Sequence, residues 1–136
     1  DVDIYEGETA AETVVRMLQN NGYSVDYTGN YETGFYLARI NSESNFVTGN
    51  IPEDLRTKLE EHGFEIYDFT PNSLGDYDFT KGSGWMYQVN GVYPNYGLSD
   101  YCFQNGDTLR LRFTLAYGAD IGQDMTGGSD NWGYEW

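Results

Sequence analysis

Few side chains of this sequence are of the types that carry out catalysis. His62 and Cys102 are its only histidine and its only cysteine, and no Ser–His arrangement, zinc-ligand spacing or phosphate-binding glycine motif is present. The twenty-two Asp and Glu residues could supply the carboxylate pair of a glycosidase, but so many acids single out no pair. We therefore expect no enzymatic activity and no cofactor. Cys102 stands between two aromatic residues, and we expect a semi-buried thiol that reacts slowly.

Two pairs of aspartates could contribute oxygen ligands to calcium. They are Asp76 with Asp78 and Asp120 with Asp124, and neither pair lies in an EF-hand pattern. Aspartates in Gly-rich segments are also typical of turns, because their short side chains bond to nearby backbone amides. We favour the interpretation as turn residues.

The chain carries a net charge of −15, which limits its partners. Negative charge of this size repels nucleic acid and anionic membrane surfaces. No apolar run approaches the ~20 residues of a membrane-spanning helix, and no signal peptide is present. We expect neither nucleic acid nor a membrane among its partners, and we expect the sequence to begin inside a longer precursor.

The stretch GWMYQVNGVYPNYG, residues 84–97, concentrates aromatic residues around an Asn-Gly pair. Asn-Gly supplies the positive φ angles of a type I′ turn and predicts a hairpin at 85–93. Side chains alternate along a strand, so Trp85 shares a face with Val89 and Val92. The valine pair indicates that this face is core, and we expect Trp85 to be buried there.

The opposite face of the predicted hairpin is the candidate ligand-binding surface. A long strand is predicted at 108–117, and if it lies beside the hairpin its two arginines project onto this second face. The arginine side chains could simply cover a tyrosine ring, or the surface could dock a ligand or a neighbouring domain. The candidate residues, including one tyrosine of the adjoining loop, are Met86, Gln88, Tyr93, Tyr96, Arg110 and Arg112.

The elements that position this surface follow from apolar periodicity and from capping residues. Thr9 and Glu12 form a capping box that predicts a helix at about 9–21. Pro52 opens a second predicted helix, about 52–62. Strands are predicted at 2–5, 34–40 and 64–69, and a loop at 70–84. The order predicts an α+β fold, a mixed sheet packed on one main helix, as a single domain over 1–122 with a Gly/Asp-rich tail or linker at 123–136.

The sequence from 82 to 122 is similar to a known family. GSGWMYQVNGVYPNYGLSDYCFQNGDTLRLRFT at 82–114 and GADIG at 118–122 resemble the transcobalamin-like C-terminal domain of vitamin-B12 carriers and of bacterial surface proteins. The resemblance implies a β-grasp-like fold without a catalytic role. In the carriers such a domain covers one face of the corrinoid, while a separate helical barrel holds the other face.

The sequence departs from that family at three places. It contains no helical barrel, it carries an inserted helix and strand at about 50–75, and the first strand of the family's opening hairpin is missing before Asp1. The strand predicted at 2–5 would then have an unpaired side, which favours an edge-strand dimer or cover from the tail.

From these features we expect a non-enzymatic, extracellular binding module of a bacterial surface or secreted protein. Its open sheet face would hold a small amphipathic ligand such as a corrinoid, with cobalamin the ligand that the resemblance implies. The alternative is a structural or adhesive module that packs against neighbouring domains, a glycan or a partner protein.

Overall fold

Within the part of the chain that the structure describes, two helices and five strands form an α+β fold, which confirms the predicted class. The computed structural model describes residues 2–47, 51–94 and 96–122. The elements are α1 (Ala10–Asn20), β1 (Tyr23–Thr28), β2 (Tyr36–Ser42), α2 (Glu53–Glu61), β3 (Ser73–Gly75), β4 (Gly84–Val89) and β5 (Leu109–Thr114), with 3-10 turns at Leu98–Asp100 and Ala119–Ile121. The ladders form two antiparallel sheets, β1-β2-β3 and β4-β5, where the sequence predicted one mixed sheet. The parallel contact among these residues is a single bridge between Gly82 and Ala116. The predicted tail at 123–136 lies outside the described residues.

Helix α1 is the main helix that the sequence predicts. Thr9 is its N-cap, and the Thr9 Oγ1 atom accepts a hydrogen bond from the backbone amide of Glu12 at 3.3 Å. The helix ends at Asn20, and Gly22 follows the C-cap Asn21 with a φ of 88°, which suits a residue without a Cβ atom. Its apolar stripe is buried and forms the first core cluster with residues of β2, with Phe35 just before that strand, and with the 3-10 turn at Leu98–Asp100. The buried members of this cluster are Ala10, Ala11, Val14, Val15, Leu18, Phe35, Leu37, Ile40 and Leu98.

Helix α2 builds a second core cluster on the other part of the molecule. Leu55 and Leu59 are fully buried and pack with Phe79, Phe113 and Leu115. Helix α2 belongs to the inserted segment at about 50–75, which distinguishes this sequence from the family it resembles. This segment therefore covers apolar surface of β5. The predicted helix at 52–62 is confirmed, although the proline that opens it is the N-cap and not the first helical residue.

Two predicted strands are wrong. Residues 2–5 form no ladder and lie beside α1, where Arg16 donates a hydrogen bond to the Asp3 carbonyl at 2.7 Å and stacks 4.6 Å above the Tyr5 ring. The unpaired strand edge on which the dimer prediction depended is therefore not formed there. Residues 64–69 also form no strand. Their apolar side chains Phe64, Ile66 and Phe69 pack against the second cluster, but the backbone of the segment pairs in no ladder.

Two strands that the sequence analysis missed flank β2. Strand β1 pairs with β2 along its length, with a register shift at Asp26 and Tyr27, and β3 pairs with Arg39–Asn41. Strand β1 reads YSVDYT, in which Tyr23, Val25 and Tyr27 alternate with polar residues, and Tyr23 and Val25 pack against the first core cluster. This alternation was a signal that the sequence analysis did not use. Strand β3 is three residues long, too short to show a period.

The loop after β3 contains two residues in the left-handed region. Tyr77 and Phe79 both have φ of 69°, a conformation that costs non-glycine residues roughly 1–3 kcal/mol. The Asp78 carboxylate between them accepts hydrogen bonds from the Gly75 amide at 2.9 Å and from Arg39 at 2.8 Å, which holds the loop. Phe79 is buried at 3 % exposure while Tyr77 is 70 % exposed. Asp78 is thus a turn residue, as favoured above.

Strands β4 and β5 pair antiparallel, in a register that places the candidate binding residues of the two strands opposite each other. Met86 lies opposite Arg112 and Gln88 opposite Arg110, which confirms that the arginines share the second face of β4. The predicted return strand of the hairpin is reduced to one bridge between Val89 and Val92. Val92 is 63 % exposed, so this valine does not belong to the core.

The Asn-Gly turn is locked to a second turn. Asn90 and Gly91 have φ of 54° and 83°, the positive values that a type I′ turn requires. The Asn90 side chain donates to Asp107 Oδ1 at 3.0 Å and accepts from the Thr108 amide at 3.0 Å. The Gln104 amide donates to Asp107 Oδ2 at 2.8 Å, and this bond, followed by that from Asn90, lowers the pKa of the Asp107 carboxyl.

The GADIG segment closes the end of β5 through a buried carboxylate. Asp120 is fully buried and accepts hydrogen bonds from the amides of Leu115 at 2.9 Å and Ala116 at 3.3 Å, and from the Thr114 hydroxyl. Gly118 and the final glycine of the motif take left-handed φ angles on either side of it. The carboxylate therefore satisfies backbone donors, as a turn residue does; its proposed partner Asp124 lies outside the described residues.

Cys102 is exposed, so the prediction of a semi-buried thiol is wrong. Tyr101 and Phe103 both pack against the first core cluster, with their rings 5.6 Å apart. Because neighbouring side chains in extended backbone point to opposite sides, the cysteine between them points to solvent.

Trp85 packs against both core clusters, which confirms its predicted role in packing. Its side chain is partly buried, so the prediction of a buried residue is confirmed only in part. Its ring meets Phe113 edge to face at 5.3 Å, and its Nε1 atom donates to the Leu74 carbonyl at 2.8 Å. Strand β4 is thereby joined to β3, with which it shares no ladder.

We expect Trp85→Ala to lower the free energy of unfolding by about 3–5 kcal/mol, because it leaves a cavity between the two clusters. Trp85→Phe should recover much of that loss and retain a deficit of about 1 kcal/mol for the indole hydrogen bond. Urea denaturation followed by circular dichroism measures both. Tyr96→Ala, at a 62 % exposed position, is the control, with a cost of about 1 kcal/mol or less. A Trp85→Ala variant as stable as the parent would contradict this assignment.

Candidate functional site

A pocket of about 320 Å³ lies between β2 and β4. The start of β2, the first half of β4, the loop after the Asn-Gly turn and one residue of β5 line it. These lining residues are Phe35, Tyr36, Leu37, Trp85, Met86, Tyr87, Tyr93, Pro94, Tyr96, Gly97, Leu98 and Leu111. Six of the twelve are aromatic, so the pocket presents mostly ring and aliphatic surface.

The floor of the pocket belongs to the first core cluster. Phe35, Leu37 and Leu98 line the pocket and are also buried members of the cluster that packs on α1. Side chains fixed by a close-packed core have little freedom to move. The pocket is therefore a preformed feature of the fold.

The pocket exists because β2 and β4 belong to different sheets. No ladder joins these two strands, and they approach each other at one end, near Gly84. A Cβ atom at Gly84 would lie 3.0 Å from both the Tyr36 hydroxyl and an Asp76 carboxylate oxygen. The glycine therefore leaves room beside β4 for the hydrogen-bonded side chains of Tyr36 and Asp76, which belong to the other sheet and the loop after it.

The hydroxyl groups of three lining tyrosines are bonded to the protein itself. Tyr36 donates to Asp76 Oδ1 at 2.6 Å. Tyr87 donates to the Tyr96 carbonyl at 2.6 Å, and Tyr93 donates to the Ile121 carbonyl at 2.7 Å. Each bond holds its ring in place, and the bond from Tyr87 also holds the loop that closes the pocket.

Burial shifts the ionisation of two of these tyrosines. Burial raises the pKa of Tyr87 to about 12, with smaller contributions from Tyr101 and Asp100. Burial also raises the pKa of Tyr36, and the hydrogen bond and negative charge of Asp76 raise it further. Both rings therefore stay neutral at all physiological pH values.

The six candidate residues divide between the pocket and the sheet behind it. Met86, Tyr93 and Tyr96 line the pocket, whereas Gln88 and the two arginines do not. Arg112 is 5 % exposed and donates from Nη1 to the Tyr93 hydroxyl at 3.0 Å and to the Ile121 carbonyl at 3.0 Å.

Arg112 thus holds the hydroxyl end of Tyr93 by a hydrogen bond, which differs from the interpretation that an arginine covers the face of a tyrosine ring. Arg110 is exposed, opposite Gln88. The two arginines are therefore placed differently, although they lie on one strand face.

The sequence analysis missed the part of the site that β2 contributes. Phe35, Tyr36 and Leu37 were assigned to a strand, but no sequence signal shows which edge of β4 they face. Trp85 and Tyr87 were assigned to the core face, and they also border the pocket. The pocket lies at the edge of the core, so the division into a core face and a binding face was too sharp.

Comparison with known proteins gives one match. A family model described as a domain of unknown function, DUF4430, matches residues 61–114, from the end of α2 to the end of β5. The matched segment contains the part of the pocket built by β4, β5 and the intervening loop, but not the part built by β2. No curated protein and no solved structure matches the chain.

Two further observations limit the chemistry of the described residues. Within residues 2–47, 51–94 and 96–122, no three His, Cys, Asp or Glu side chains are grouped so that they could hold a metal ion. Within the same ranges, no helix has the length and apolar character needed to cross a bilayer.

We expect Tyr87 to ionise later than ordinary tyrosines when absorbance at 295 nm is followed from pH 8 upward. An unfolded tyrosine has a pKa near 10, whereas that of Tyr87 is about 12. Stability from this group is complete below pH 10 and is lost as the pH rises towards about 12, since the unfolded chain ionises first. Tyr87→Phe should remove one late-titrating group and flatten the loss of stability over this window. If the variant and the parent have identical titration curves, the ring is not buried as described.

Proposed function

We propose that the chain is a non-enzymatic binding module that holds a small amphipathic ligand in the pocket between β2 and β4. The observation that carries this proposal is the preformed aromatic pocket itself, with a floor in the core and a rim that includes the exposed Tyr96. Ligand pockets are concave, mainly apolar, and carry few polar groups, and this pocket has that character.

The size of the pocket bears on the ligand. Its volume of about 320 Å³ is at the lower end of the roughly 300–1,000 Å³ of small-molecule sites. A corrinoid is larger than this, so it would place only an edge or a side group between β2 and β4. The rest would lie against the exposed rim tyrosines.

The resemblance of residues 82–122 to the transcobalamin-like C-terminal domain supports the choice of ligand class. We infer that the domain matched at 61–114 is of this transcobalamin-like type, and cobalamin is therefore the first ligand to test. The same resemblance supports a place on the surface of a bacterium or outside it, within a larger protein. These inferences rest on similarity of sequence, since fold alone does not define function.

The alternative is a structural or adhesive module. Tyr36, Tyr77 and Tyr96 are exposed, and Tyr36 and Tyr77 are close enough to interact electrostatically. Tyrosine offers contact area at little entropic cost, so these residues would equally suit a neighbouring domain, a glycan or a partner protein.

Binding of the neutral naphthalene dye prodan tests the proposal. We expect its emission to shift to the blue and to saturate at one dye per chain, since the pocket is lined mainly by aromatic and aliphatic side chains. Tyr96→Ala removes part of the rim and should weaken binding roughly fivefold, equivalent to about 1 kcal/mol. The matched control is Tyr67→Ala, because Tyr67 is also partly exposed but lines no part of the pocket.

Cobalamin is the second arm of the experiment, followed by equilibrium dialysis. Cobalamin that binds and displaces the dye would identify a corrinoid as the ligand class. Dye binding without cobalamin binding would support the pocket and reject the corrinoid. If neither compound binds saturably, the small-ligand proposal is wrong and the structural or adhesive alternative is favoured.

A further inference from the structure

The pocket has almost no side-chain hydrogen-bond donor left for a ligand. This inference rests on the proposed function and concerns which ligand the pocket accepts. The Trp85 indole donates to the Leu74 carbonyl. The tyrosine hydroxyls of Tyr36, Tyr87 and Tyr93 donate to Asp76, to the Tyr96 carbonyl and to the Ile121 carbonyl, respectively. Only the hydroxyl of Tyr96, at the exposed rim, has no such bond described.

A site without donors suits some ligands and not others. A carboxylate or phosphate loses hydration on entering an apolar pocket and needs donors to replace it. A ligand that brings its own donors needs only acceptors. Because nearly all side-chain donors of the pocket are already bonded to the protein, the pocket disfavours anionic ligands.

Asp76 lies beside the pocket and offers an acceptor next to a lining residue, although it is not itself one of the lining residues. Its Oδ1 atom accepts the hydroxyl of the lining residue Tyr36 at 2.6 Å, while no hydrogen bond among the described residues uses Oδ2. The nearest guanidinium, that of Arg39, forms its ion pair with Asp78 at 2.8 Å and bonds to the backbone carbonyl of Asp76 at 3.2 Å. The Asp76 carboxylate is thus in no salt bridge within the described part of the chain.

The two features together define a ligand class. We propose that the pocket takes a cationic amphipathic small molecule, whose apolar group lies between β2 and β4 and whose ammonium group is received by Asp76 beside Tyr36. The net charge of −15 favours the same sign of ligand at longer range. Tyr36 positions the carboxylate by its hydrogen bond, and Gly84 leaves space for that bond.

Three probes with one skeleton test the proposal: 3-phenylpropylamine, 3-phenylpropan-1-ol and 3-phenylpropionate. Each is titrated at pH 7 and low ionic strength against the full chain, with backbone amide shifts read by NMR at the pocket residues. The amine is a cation, the alcohol is neutral and the acid is an anion at this pH. We expect the amine to bind about fivefold more tightly than the acid, with the alcohol between them.

Asp76→Asn removes the charge and keeps an oxygen that can accept the Tyr36 hydroxyl. It should weaken the amine about threefold to fivefold and leave the alcohol unchanged, so that the alcohol reports an intact pocket. Asp68→Asn is the matched control, because it makes the same change of net charge at an exposed position, whereas Asp76 accepts the hydroxyl of the lining residue Tyr36.

Each outcome discriminates. If the acid binds as tightly as the amine, or if Asp68→Asn weakens the amine as much as Asp76→Asn, the cationic selectivity is wrong while the pocket remains a binding site. If none of the three probes shifts the pocket amides, the pocket does not bind small amphipathic molecules, and both proposals fail.

Discussion

The two sheets of this protein share no ladder, and their relative position depends on one partly buried tryptophan. Trp85 fills the space between the cluster under α1 and the cluster under α2. Its indole also replaces a missing strand–strand hydrogen bond by donating to the Leu74 carbonyl. Burial of a large aromatic residue is among the strongest single contributions to a small core. Neither cluster alone would fix the angle between β2 and β4.

The pocket is a consequence of that arrangement. A tryptophan at the junction holds the strands together at one end, while the absence of a ladder leaves them apart further along. The open space is then lined by aromatic residues, of which Tyr36, Tyr87 and Tyr93 donate their hydroxyls to nearby acceptors, so these rings are fixed in place. Structure and site thus use the same residues. Substitutions in the pocket will therefore report on binding only when stability is measured beside it.

The sequence predicted the elements whose signals are local. Four such signals predicted their elements correctly, because each depends only on neighbours in the chain. They are the cap and apolar stripe of α1, the proline before α2, the Asn-Gly turn and the alternation of β5. The segment 64–69 failed for an instructive reason: alternating apolar side chains can be satisfied by burial alone, without any strand partner. Strand β1 was missed although Tyr23, Val25 and Tyr27 alternate with polar residues; the segment is short and largely exposed, and this local signal was not recognised beside the stronger ones.

The site was predicted only in part, for a related reason. Met86, Tyr93 and Tyr96 could be chosen from the hairpin and its loop, but Phe35 and Leu37 reach them through tertiary packing that no local pattern encodes. Arg112 illustrates the limit further. The sequence placed Arg112 on the correct face of its strand. Its burial beside the Tyr93 hydroxyl depends on where residues 118–122 lie after the end of β5, and the alternation of the strand does not show that.

The lock between the two turns has a consequence for the chemical ageing of the protein. Asn followed by Gly is the sequence most prone to spontaneous deamidation, in which the side-chain amide becomes a carboxylate. At Asn90 this would replace the donor to Asp107 Oδ1 with a second negative charge opposite the first, and like charges so placed repel. Deamidation at this one position would thus replace a hydrogen bond between two turns with electrostatic repulsion between them. Peptide mapping of stored protein would reveal it beside any loosening of β4 from β5.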